Sequence, residues 1–196
     1  MNNPAKPLLA RIVYWAPPLA LALAALLAQA LGSLEALRLE RGLWLEQPWR
    51  LITGQFMHLG WTHLAMNLAG LTVIWLILAR FLTAWQWWLT VLVCGAGVNL
   101  GLLAFSPSIH WYVGLSGILH GLLAAGALAG LKRQPTLALL LLGLIAKLAW
   151  EQFTGQDPGT AQLIGGAVIV DAHVYGAAAG VIVGGYLLLR RMLSAA

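Results

Sequence analysis

The sequence predicts an all-α membrane protein with six transmembrane helices. Three observations lead there. Hydrophobic residues make up 61% of the chain and charged residues only 9%, against about 25% charged in soluble domains. The mean hydropathy is +0.83. The apolar residues are gathered into six runs, near 12–31, 59–79, 85–105, 115–131, 136–150 and 173–189. No polar stretch is long enough to bury a core of its own, so one domain spanning residues 1–196 is expected.

The first run follows Lys6 and Arg11 and resembles a signal peptide. Five further runs follow it, so it is expected to stay as a first helix or signal anchor. The segment 33–55 is rich in Leu, Trp and paired charges. It is too polar to cross and too apolar to float free, so it is expected to lie in the outer interface. The fourth, fifth and sixth runs are short for a ~30 Å hydrocarbon core at ~1.5 Å per residue. Short helices with sunken ends can line a wet cavity inside a protein. Trp85, Trp87 and Trp88 are expected at the inner interface, and Trp111 and Trp150 at the outer one.

Charge sets the orientation. An even number of crossings gathers Lys6, Arg11, Arg80, Lys132, Arg133, Arg190 and Arg191 on one face, with no acid. The other face holds all six acids, Glu35, Glu40, Glu46, Glu151, Asp157 and Asp171, with Arg38, Arg41 and Arg50. The positive-inside rule then predicts cytoplasmic termini. The formal charge of +5 is scattered over segment ends, which argues against a nucleic-acid partner. Lys147 falls within the fifth run, and a lysine snorkelling to the interface is the plainer reading, a substrate contact the other. Cys94 is the single cysteine, so no disulfide can form within the chain, and a small buried hydrophobe is expected there.

Polar residues in membrane helices are costly and mark function. Ser116 opens the fourth run within Gly114-Leu115-Ser116-Gly117, and His173 opens the sixth. His63 and Asn67 sit one helical turn apart on the second. Measured from the basic residue that ends each run, all four lie at heights of roughly 20–26 Å. That common depth predicts one shared site in the outer half of the membrane. Gly117 with Gly121, and Gly176 with Gly180, give two helices small faces on which to approach closely. His173 would be the base that activates Ser116, then the acid that protonates the leaving amine. His63, Asn67 and the Ser116 N–H would hold the oxyanion. No carboxylate is expected to orient His173, because Asp171 is two residues away and points elsewhere on a helix. The expectation is therefore a Ser–His dyad.

These residues resemble the rhomboid intramembrane serine proteases. Trp49-Arg50, then His58, His63 and Asn67, are similar to the family's Trp-Arg pair and His-x4-His-x3-Asn pattern. Gly114-Leu115-Ser116-Gly117 resembles the catalytic serine motif, and Ala172-His173-x2-Gly176-x3-Gly180 the catalytic histidine motif. The resemblance implies a six-helix rhomboid-like bundle, Ser116 as nucleophile, His173 as base, and His63, Asn67 and Ser116 in the oxyanion hole. It places Trp49 and Arg50 in a structural first loop, and residues 151–170 as a lid over the substrate entrance. The implied partners are single-pass membrane protein substrates and the lipid bilayer, with no cofactor. At the position where bacterial rhomboids carry an aromatic residue stacked on the catalytic histidine, this chain has His120. That substitution resembles the rhombosortase subgroup, implicated in processing secreted proteins that end in Gly-Gly, an apolar helix and a basic tail. His120 is expected to orient His173 through a hydrogen bond.

Other classes fit less well. A metalloprotease would need a His-Glu-x2-His motif, which is absent. His58, His63, His110, His120 and His173 are not expected to bind metal, since no carboxylate or thiolate is expected beside them. His58 is read as structural and His110 as solvated. An aspartyl protease would need paired membrane acids. A transporter would not need a Ser–His pair at one depth. The alternative kept open is a non-catalytic rhomboid-like protein that binds transmembrane segments without cutting them.

Overall fold

A computed structural model describes residues 8–156 and 158–193. Lys6 and Asp157, two charges used to orient the chain, lie outside the described residues. The helices are α1 (Leu8–Leu31), α2 (Leu34–Leu37), α3 (Arg50–Phe56), α4 (Trp61–Leu78), α5 (Ala84–Phe105), α6 (Ser116–Gly130), α7 (Leu137–Thr154), α8 (Pro158–Ile164) and α9 (Val170–Leu193). Two short strands, β1 (Leu39–Glu40) and β2 (Trp111–Tyr112), pair antiparallel, Leu39 opposite Tyr112.

Among the described residues, five helices are long and apolar enough to cross a membrane, and α6 is a shorter apolar helix of 15 residues. The chain is a membrane protein. The expected shortness of the fifth and sixth runs is corrected: α7 has 18 residues and α9 has 24. Apolar runs mark where side chains are greasy, not where the backbone stops coiling. Glu151, Gln152, Phe153 and Thr154 continue α7 past the apolar stretch, and Gly155, at φ 77°, turns the chain out of it. Val170 and Asp171 likewise start α9 ahead of His173.

α6 is the axis of the bundle, packed against α4, α5, α7 and α9. Its closest partner is α9, and glycine makes that possible. A Cβ at Gly176 or Gly180 would collide with the backbone oxygen of Gly117 or Gly121, respectively. Cys94 is buried and meets the same crossing at Gly121. Leu78, Trp75, Trp87 and Leu122 belong to the main apolar core. Trp87 is fully buried, its ring 4.8 Å from that of Trp75, so it is a core residue and not the interface anchor expected.

Arginines tie the ends. Arg41 donates from Nε to Ile109 O at 2.9 Å, from Nη1 to Leu103 O at 2.8 Å and from Nη2 to Ser106 O at 2.8 Å. These are the orphan carbonyls at the C-terminal end of α5 and the turn after it. Arg50 is buried, donating to Glu35 O at 2.7 Å, Arg38 O at 2.8 Å and Gln47 Oε1 at 2.7 Å. Trp49 is half exposed, with Nε1 3.4 Å from Ala36 O. Arg50 thus folds the first loop onto itself, which holds α3 beside β1 and the entrance to α4. At the other end Arg191 donates to Ala129 O and Phe81 O, linking α9 to α6 and to the 3-10 turn Ala79–Phe81 after α4.

Candidate active site

Ser116 is the first residue of α6, where the N–H has no helical partner. The turn that delivers it depends on Gly114, whose φ of 125° suits glycine. A Cβ there would also lie 3.0 Å from His63 Cε1. Two bonds hold this turn: Gly114 N–H donates to Gly54 O at 2.9 Å, and the Tyr112 hydroxyl donates to Gly114 O at 2.6 Å. Burial pushes the Tyr112 hydroxyl pKa up, partly offset by hydrogen bonds with the Gly117 backbone and the Ser116 side chain. Tyr112 is therefore a neutral donor beside the serine.

His173 lies on the facing turn of α9, 5% exposed, with Nε2 3.0 Å from Ser116 Oγ. Its Nδ1 lies 2.9 Å from Glu151 Oε2, on the last turns of α7. This corrects the dyad expected from sequence: a carboxylate does orient the histidine. The apolar run ends at 150, which places residues 151–170 in a lid. The extra turn of α7 instead points Glu151 back into the bundle. Lys147, one turn earlier and half exposed, donates to Glu151 Oε1 at 2.5 Å. Asp171 does point away, accepting from Ser106 Oγ at 2.5 Å.

His120 stacks on His173, ring centroids 4.1 Å apart and planes 17° from parallel. Its Nδ1 bonds Ser116 O at 2.7 Å. The hydrogen bond expected between the two histidines is replaced by this stacking, because His120 is one turn beyond Ser116 and its ring lies flat over its neighbour. The expectation that no carboxylate sits with the histidines is also corrected. His120, Glu151 and His173 place ligand atoms within 4.8 Å of one another.

A cavity of about 370 Å³ opens over Ser116, and His63, Asn67, Gly70, Leu119 and Ile164 line it. Asn67 Nδ2 donates to His63 O at 3.1 Å, and His63 Nδ1 accepts weakly from Leu59 N–H at 3.4 Å. Both side chains reach the cavity without bonding Ser116. α8 lies against α4, and its residues Thr160 and Ile164 form one wall. His58 stays outside the cavity, 1% exposed, with Nδ1 on Phe56 O at 2.9 Å and its ring 4.9 Å from His63. Burial pushes its pKa down to about 3, aided by the neighbouring His63. His110 is exposed at the bundle end.

Sequence reasoning missed Glu151 and Tyr112. Glu151 had a signal: with Lys147 it forms an i,i+4 pair at the end of an apolar helix. Tyr112 had none beyond its position four residues before Ser116.

A multi-helix membrane fold, with a serine, a histidine and a carboxylate in hydrogen-bond order beside an open cavity, defines the class. Residues 45–190 match the rhomboid domain, and the chain belongs to the rhomboid family. Members of that family are generally intramembrane serine proteases. No curated protein matches the chain.

Proposed function

We propose that this protein is an intramembrane serine endopeptidase with a Ser116–His173–Glu151 relay, cutting membrane-anchored substrates near the outer face of a bacterial inner membrane. The observation that carries the reading is the relay itself, 3.0 Å from Ser116 Oγ to His173 Nε2 and 2.9 Å from His173 Nδ1 to Glu151 Oε2. Glu151 holds the proton on Nδ1, so the Nε2 lone pair faces the serine. His173 takes the Ser116 proton as Oγ attacks the scissile carbonyl. The Ser116 N–H, with His63 and Asn67 turned toward the cavity, stabilises the tetrahedral oxyanion. His173 then gives its proton to the leaving amine. Water entering from the outer end deacylates the serine by the reverse sequence.

The reading includes six crossings, with α6 as the short one, and both termini in the cytoplasm. Substrates are single-pass membrane proteins. His120 in place of an aromatic residue favours a rhombosortase-like role, with Gly-Gly sorting tails as the cut segments. Transfer of the acyl group to an amine would use the same residues as hydrolysis.

The experiment is cleavage of single-pass substrates by the purified protein in bilayers, with mass analysis of both products. A substrate with Gly-Gly before its helix should be cut there, and Ser116→Ala should abolish the cut. Cleavage that ignores the Gly-Gly pair would remove the subgroup reading. Tight binding of substrates without Ser116-dependent cleavage would favour a non-catalytic binder.

A further inference from the structure

We propose that His120, Glu151 and His173 form a binding site for a divalent transition metal of the zinc class, and that occupying it switches the serine off. This is a regulation of the site above and rests on that reading of Ser116. Two imidazoles and one carboxylate are a donor set suited to Zn²⁺. Their ligand atoms already lie within 4.8 Å of one another.

His120 is built as a ligand. Its Nδ1 proton goes to Ser116 O at 2.7 Å, which leaves Nε2 with a free lone pair. An imidazole that donates its other N–H to a backbone carbonyl is the usual support of a metal-bound histidine. The two rings are stacked with centroids 4.1 Å apart, so their in-plane lone pairs run nearly parallel and must turn toward each other to share a metal. Two nitrogens on one tetrahedral zinc are roughly 3.4 Å apart, given bonds of ~2.1 Å. A splay of the two rings, with Glu151 following, closes the site.

The consequence follows from the two nitrogens of His173. A metal on Nδ1 replaces the proton that Nδ1 shares with Glu151. That proton moves to Nε2, which faces Ser116 Oγ. No proton is lost overall, but an Nε2–H cannot accept the serine's proton. The nucleophile stays a hydroxyl. Lys147 opposes the metal, because its ammonium sits 2.5 Å from Glu151 Oε1. Occupation is therefore reversible and sensitive to that lysine.

The test uses untagged full-length protein in detergent and in bilayers. A fluorophosphonate probe reports Ser116, and every variant is normalised to its own labelling rate in EDTA. Zn²⁺ should slow wild-type labelling, and EDTA should restore it. His120→Phe and His120→Tyr should each raise the inhibitory zinc concentration by at least about tenfold. Lys147→Met should lower it, a gain that structural damage would not produce. Equal zinc sensitivity in wild type and both His120 variants would overturn the proposal, as would no zinc effect on a wild type that labels in EDTA. Co²⁺ bound to Ser116→Ala should show a tetrahedral d–d spectrum that His120→Phe abolishes. This readout separates the two readings, since it stands even if Ser116 never labels; its absence overturns the metal site.

Discussion

His173 Nδ1 and Glu151 Oε2 lie 2.9 Å apart, although one residue is near the start of α9 and the other near the end of α7. The bond fixes the imidazole tautomer and ties His173 to a helix with only two buried residues, Leu137 and Leu144. A packed core pair, α6 and α9, thus carries Ser116 and His173, while a sparsely packed helix carries the carboxylate bonded to the histidine.

Glu151→Gln keeps a hydrogen-bonding group but removes the charge and allows the wrong tautomer. The labelling rate at Ser116 should fall by roughly 10²–10⁴ with little loss of stability. Unchanged labelling in a folded variant would show that the dyad suffices.

Lys147→Met removes the second partner of Glu151. The lysine is 49% exposed, so the pair is screened and worth about 0.2–1 kcal/mol. A fall of only several-fold in metal-free labelling is expected, with Lys147→Arg closer to wild type. A loss as deep as that of Glu151→Gln would make the lysine part of the catalytic machinery.

Gly180→Leu places a branched side chain where the α6 backbone already touches α9. Overpacking of this kind costs about 1–3 kcal/mol or more. Thermal unfolding followed by tryptophan fluorescence should show a lowered midpoint, whereas Gly143→Ala, with open space around it, should not.

Gly114→Ala strains a positive-φ turn by about 1–3 kcal/mol and pushes on His63. Substrate cleavage should fall further than the unfolding midpoint does, because the turn aims Ser116. Proportionate losses in both would make the turn structural only.

His58 is neutral in the fold, with a pKa near 3 against 6.5 for an ordinary histidine. Between those values the unfolded chain binds the extra proton, so the stability from burying neutral His58 is full above pH 6.5. It is lost as pH falls toward 3, by up to about 1.4 kcal/mol per pH unit. His58→Asn should flatten the unfolding midpoint across that range; a parallel pH dependence would contradict the assignment.

The sequence carried Ser116, His173, His63 and Asn67 because each is a polar residue in an apolar helix, and because their depths agree. The α6–α9 crossing was readable from the spacing of Gly176 and Gly180. Glu151 was not, since hydropathy ended its helix at Trp150 and left it in a loop. The stacking of His120 on His173 was not either, because ring orientation depends on how two helices cross. Trp87 was misplaced for a similar reason: tryptophan serves interfaces and cores alike, and only packing against Trp75 decides.

The central claim is that Ser116 is a nucleophile activated by His173. The most direct measurement is fluorophosphonate labelling of the purified protein, in bilayers and in EDTA, with the adduct located by mass spectrometry. Labelling on Ser116 that His173→Ala abolishes is the predicted result. A well-folded wild type that takes no label, or takes it equally without His173, would contradict the account.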